Sequence, residues 1–137
     1  MGTRVEAVHL LLLLSFFIFG LIVGDRILAR RTDNLYYAGL VSSTGNGLIH
    51  IVFDDGNRIT HTDTDFSAVI TNNAPYQVEI GNHVVTTWRG SHEHYIGYVS
   101  HKDSYNRFKV TLDNNDEDFY TTGQLRLFPD HSSAHDG

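Results

Sequence analysis

VFDDG at residues 52–56 is an apolar run that stops on two acids and a glycine, and VTLDNN at 110–115 ends a second run in the same way. Each stop separates two stretches in which apolar and polar residues alternate, which is the chemistry of a hairpin. Asp and Gly both tolerate positive φ, so Asp55-Gly56 predicts a two-residue type I′ turn. Asn114-Asn115 does the same work less well. The architecture follows from what surrounds these two turns.

The surroundings repeat. VGDRILAR at 23–30 is echoed by IGNHVVTT at 80–87, YYAGLV at 36–41 by YIGYV at 95–99, and IVFDDG at 51–56 by VTLDNN. Gly24 and Gly81 are 57 residues apart, Gly39 and Gly97 are 58, and Asp54 and Asp113 are 59, so single insertions in loops account for the drift. Period-two alternation cut by Gly, Asn and Asp at short intervals predicts short strands in a small barrel or sandwich, and no long helical stripe is present. The first copy reads as strands near Asp25 to Arg30, Tyr36 to Ser42, Leu48 to Phe53, Arg58 to Thr62 and Ala68 to Ile70, with a tight turn around Thr64 to Ser67. The second reads as His83 to Trp88, Tyr95 to His101, Arg107 to Leu112, Glu117 to Thr121 and Leu125 to Leu127.

A unit of about fifty residues buries little surface by itself, so the two copies are expected to pack together. The division is a hydrophobic leader at 1–21, a first barrel at 22–71, a linker at 72–78 centred on TNNAPYQ (71–77), a second barrel at 79–129 and a disordered tail at 130–137. From Leu10 to Val23 the chain is apolar except for Ser15 and Gly20, short of the roughly 20 apolar residues of a membrane span. Three readings stand for that segment: a secretory signal or short anchor, a buried extension, and an artefact of a mispredicted first exon. Location and membrane association depend on which holds.

The 137 residues carry a net charge of −6 with ten Lys and Arg, too few cations to hold a phosphate backbone, so nucleic acid is not expected and a cationic partner is. There is no cysteine, hence no disulfide, thiolate metal site or Cys nucleophile. HEH at 92–94, with His83 and His101 nearby, offers too few ligands for a metal site, and neither a nucleophile elbow nor a phosphate loop is present. No metal, cofactor or catalytic activity is therefore expected. DNNDED at 113–118 reads as a solvated hairpin tip or as an acidic strip for a cationic tail.

Five short strands per unit, the Tyr-x-Gly of the second strand and the Phe-Asp-Asp-Gly hairpin together resemble a Tudor domain. The pair is similar to the tandem Tudor-like module of poorly characterised animal proteins that also carry von Willebrand factor A domains, over about residues 22 to 129. The fold this implies is all-β, with two consecutive five-stranded SH3-like barrels after the hydrophobic segment. The function it implies is a non-catalytic reader of methylated Lys or Arg peptides, inside the cell, through an aromatic cage. Ring faces attract the cation there and a carboxylate orients it.

Carried over by position, the first cage has Arg31 where a Trp is usual, then Tyr37, Phe53, Asp55 and Asn57. The second has Trp88, Tyr95, Leu112, Asn114 and Asp116. Tyr37, Phe53, Asp55, Trp88, Tyr95 and Asp116 are thus the candidate peptide-binding residues. Two rings remain in each copy, and Arg31 would repel a methylammonium unless Asp54, Asp55 or Glu79 engages it. The same rings also suit the ordinary purpose of filling a small barrel. The alternative function is a structural adaptor with degenerate cages that binds proteins through barrel edges or the inter-barrel groove.

Overall fold

The computed structural model describes residues 20–129, so most of the leader and the tail lie outside the described residues. Within that span every strand pair is antiparallel. The first barrel consists of β1 (Arg26–Arg30), β2 (Tyr36–Gly45), β3 (Leu48–Phe53), β4 (Arg58–Thr62) and β5 (Val69–Thr71). The second consists of β6 (His83–Thr87), β7 (His94–Lys102), β8 (Phe108–Leu112), β9 (Glu117–Tyr120) and β10 (Arg126–Leu127). In each, the first strand pairs with the second and the fifth, the second with the third, and the third with the fourth.

Alternation in the sequence becomes burial in the barrel. On β3, Ile49, Ile51 and Phe53 point inward and pack with Ile27, Ala29, Val41 and Leu21. On β8, Phe108, Val110 and Leu112 do the same against Val84, Val99 and Val78. Leu21, at the end of the apolar segment, therefore belongs to the first core, as Val78 belongs to the second. Gly39 and Gly97 let the second and third strands approach: a Cβ on either would stand 2.6 Å from the carbonyl oxygen of Val52 or Thr111. Both second strands then shift register, between Val41 and Ser43 and between Val99 and His101.

The duplication extends to single hydrogen bonds. Gly24 N–H donates to Val41 O at 2.8 Å and Gly81 N–H to Val99 O at 2.7 Å, while the side chains of Asp25 and Asn82 accept the amides of Ile22 and Glu79.

The turn chemistry differs from the expectation. Gly56 N–H bonds Phe53 O, Phe53 N–H bonds Asn57 O, and only Gly56 of the loop has positive φ, at 89°. This is a three-residue loop, a type I turn closed by one left-handed residue, and not the two-residue type I′ turn predicted at Asp55-Gly56. Asn115, with φ 71°, closes the matching loop after Leu112. The two-residue turn with positive φ at both positions lies one hairpin earlier, at Asn46 and Gly47, where Gly45 pairs with Leu48. It carries β2 three residues past the predicted end at Ser42. A 3₁₀ turn at Thr122–Gln124, absent from the sequence reading, leads into β10.

The two barrels meet at a single bridge, Tyr36 to His94. These positions are 58 residues apart, the spacing of Gly39 and Gly97, so equivalent residues face each other across a local two-fold relation. Around the bridge Leu28, Tyr36, Ile70 and Val85 form a third core, flanked by Ala38, Ile96 and Phe128. Arg126 Nε donates to Asn72 Oδ1 at 2.9 Å and ties the connecting segment to the second barrel.

Candidate functional site

Arg31 directly follows β1, in a turn where its amide donates to Leu35 O and its carbonyl accepts the amide of Asn34. That turn lays the side chain across the rings of the first cage. The guanidinium carbon is 4.3 Å from the centre of the Tyr37 ring and 4.0 Å from that of Phe53. The rings themselves meet edge to face, 6.3 Å apart at 79°. Arg31 Nη2 donates to Asp55 Oδ2 at 2.8 Å. Thus Asp55, and not Asp54 or Glu79, engages the arginine, and the cage holds a cation supplied by its own chain.

Each wall is fixed from behind. Phe53 is 3% exposed and part of the first core. Tyr37 donates its hydroxyl to Asp33, and this bond pushes the phenol up to about 12. Asp55 accepts the Asn57 amide on Oδ1 at 3.0 Å. The Asn57 amide and then the Arg31 guanidinium hold its carboxyl below the usual carboxylate range. Asp54 instead faces Arg26 at 3.8 Å, in an exposed pair.

The second copy is arranged otherwise. Trp88 and Tyr95 are partly buried against the second core, and Leu112 is fully inside it. Arg89, in a left-handed conformation at φ 52°, sets its guanidinium 4.8 Å from the centre of the Trp88 ring. Asn114 Oδ1 accepts the Asp116 amide at 2.9 Å, repeating the Asp55–Asn57 contact. An amide therefore fills the structural role of the carboxylate wherever no arginine has to be paired. Asp116 sits on the hairpin tip as the counterpart of Asn57.

Between the barrels lies a cavity of about 440 Å³. Arg31, Tyr37, Ala38, Asp54 and Asp55 line it from the first barrel, and Ser91, His92 and His94 from the second. His94 Nδ1 lies 3.2 Å from the carbonyl oxygens of both Tyr36 and His92, and burial pushes this imidazole below its ordinary value. Ser91 donates to Glu93 O at 2.8 Å and shapes the loop. Sequence reasoning brought Tyr37, Phe53 and Asp55 to one place, but it missed Asp33 and the second-barrel wall. The turn pair Asp33-Asn34 was the available signal for the first; nothing in one copy alone points to a wall contributed by the other. Among the described residues no three of His, Asp and Glu gather as metal ligands, and no helix is long and apolar enough to cross a membrane.

No protein-family model and no curated protein matches the chain. Solved structures do. The AGD34 segment of AGDP1 from Arabidopsis thaliana is similar over 85% of this chain and 87% of its own, with a TM-score of 0.51 at 11% identity. The fold is Tudor-like. Tandem Agenet domain 3-4 of ADCP1 is similar over 85% of both chains, with the same TM-score and identity. A SAWADEE domain of SHH1 from Arabidopsis thaliana is similar over 80% of this chain and all of its own, at TM-score 0.51 and 12% identity. At these identities the Tudor-like tandem shares the architecture of these modules, and its site has to be read from its own residues.

Proposed function

We propose that the Tudor-like tandem is a non-catalytic protein-interaction module that holds a cationic peptide segment in the groove between its barrels. The groove carries this reading: it is about 440 Å³, walled by both copies, with Asp54, whose pair with Arg26 is loose and exposed, beside the Arg31–Asp55 pair at one side. A concave site with a few convergent polar groups suits an extended peptide, and the acidic balance of the chain favours a basic one. Methyl-specific reading is assigned to the second copy, where Trp88 and Tyr95 supply rings and a methylated cation would take the place of Arg89 over Trp88. An intracellular location and an association with von Willebrand factor A domains belong to the same reading, through the family resemblance.

The test is a titration of unmethylated and methylated Lys and Arg peptides into labelled protein, followed by amide shifts. Shifts are expected at Asp54, Asp55, Ser91 and His92, and are lost in Asp54→Lys. Methyl-dependent shifts near Trp88 and Tyr95 that vanish in Trp88→Ala support the finer assignment. Silence at millimolar peptide leaves the adaptor reading, which the filled first cage favours.

A further inference from the structure

We infer that the first cage is a guanidinium-binding site which the chain closes with its own Arg31, so that an arginine side chain of a partner enters only by displacing it. The inference rests on the peptide-binding reading for its biological use, but its chemistry stands on the cage. Arg31 displays the ligand that this site takes: its guanidinium carbon lies over both rings and one arm of its fork, Nη2, is paired to a fixed carboxylate. An ammonium presents a compact, strongly hydrated charge and no plane to stack.

The second copy supplies an internal comparison. Where Trp88 takes the position of Arg31, with the neighbouring Arg89 over its ring instead, the ring of Phe53 has become Leu112 and the carboxylate of Asp55 has become the amide of Asn114. Ring, acid and arginine change together, although the fold around them, including the hairpin contact made by residue 55 or 114, does not. Filling a small barrel requires none of these three choices, since the second barrel dispenses with all of them.

Exchange is sterically open. Arg31 lies in the β1–β2 loop with its side chain 21% exposed, and it lines the inter-barrel groove beside Tyr37 and Asp55. A peptide backbone lying in that groove passes next to the guanidinium position. While Arg31 is in place only the fraction of molecules with an open cage can bind, so apparent affinity falls by that fraction.

Methylguanidinium and methylammonium are the probes, titrated into wild type, Arg31→Ala and Arg31→Ala/Asp55→Asn with amide shifts as the readout. The Arg31→Ala protein is expected to bind methylguanidinium at least about tenfold more tightly than wild type does, and more tightly than methylammonium. Shifts should centre on Tyr37, Phe53 and Asp55 and be lost in the double variant. A folded Arg31→Ala protein that ignores methylguanidinium, or takes both probes equally, overturns the inference, as does a wild type that binds as well as the variant. Arg31→Lys guards against unfolding: it keeps a cation in the cage and is expected to yield to methylguanidinium more readily than wild type, and equal exclusion by the two overturns the inference as well. Neither probe needs the peptide groove, so a chain that binds no peptide but opens to methylguanidinium loses the proposed function and keeps this site.

Discussion

Arg31 Nε is buried with no hydrogen-bond partner, which in general costs about 1–3 kcal/mol. The two ring contacts offset a similar amount, since a partly desolvated cation–π contact contributes about 0.5–2 kcal/mol. What holds the arginine beyond these offsetting terms is its 2.8 Å pair with Asp55. Asp55→Asn tests its electrostatic part. The Asn114 hairpin already tolerates an amide, so the variant is expected to fold, with a small loss of stability in urea that fades at high salt in wild type. Gly39 answers to a harder constraint. A methyl group there meets backbone 2.6 Å away, which cannot rotate aside, and Gly39→Ala is expected to destabilise by about 1–3 kcal/mol in chemical denaturation. Gly97→Ala should match it, because the second copy has the same contact with Thr111.

At the scale of the hairpin, the loop after β3 and the loop after β8 share a backbone but differ in the residue that takes the left-handed position. Gly56 accepts φ 89° freely, whereas Asn115 at φ 71° bears part of the penalty of an L-residue. Asn115→Gly is therefore expected to stabilise by about 0.5 kcal/mol, and Gly56→Ala to destabilise by about 1 kcal/mol, both read from thermal or urea midpoints. These two loops also mark how far the sequence could be read. Alternation and the glycine spacings located every strand to within a few residues, because period-two burial is written in the side chains themselves. The turn types were assigned to the wrong hairpin, since the β2 end before Asn46-Gly47 is the polar, exposed SSTG, and apolar alternation frames that turn only on its β3 side. The first cage was legible as a set of positions. That Arg31 would fill it depended on the direction of one side chain after a turn, and the Ser91–His94 wall depended on how two copies dock, which single-copy patterns do not encode.

For the whole molecule the deciding feature is the seam at Tyr36 and His94. Both carbonyls facing His94 Nδ1 can only accept, so Nδ1 carries the proton and Nε2 is the site that titrates. Burial first, with Arg126 adding to it, pushes the folded imidazole below its ordinary 6.5, against the opposing pull of the Tyr36 and His92 carbonyls and of Glu93. A folded value below the unfolded one means that the unfolded chain takes up the proton first. Stability is then full above about pH 6.5 and declines as pH falls from there toward the folded value. The depressed carboxyls contribute in a separate, lower window. Asp65 would be raised by burial, but the Ser67 hydroxyl and the Arg30 guanidinium outweigh that; its contribution, like that of Asp55, is lost only as pH falls below the ordinary carboxylate value of 3.8. Urea midpoints measured from about pH 7.5 down to about pH 3 should accordingly fall in two stages. His94→Gln, which keeps a polar side chain at the bridge without a titrating ring, is expected to flatten the upper stage and leave the lower one intact. An unchanged upper stage in that variant would remove His94 from the account of the seam, whereas its loss would tie the docking of the two barrels, and with it the groove between them, to the protonation of one residue.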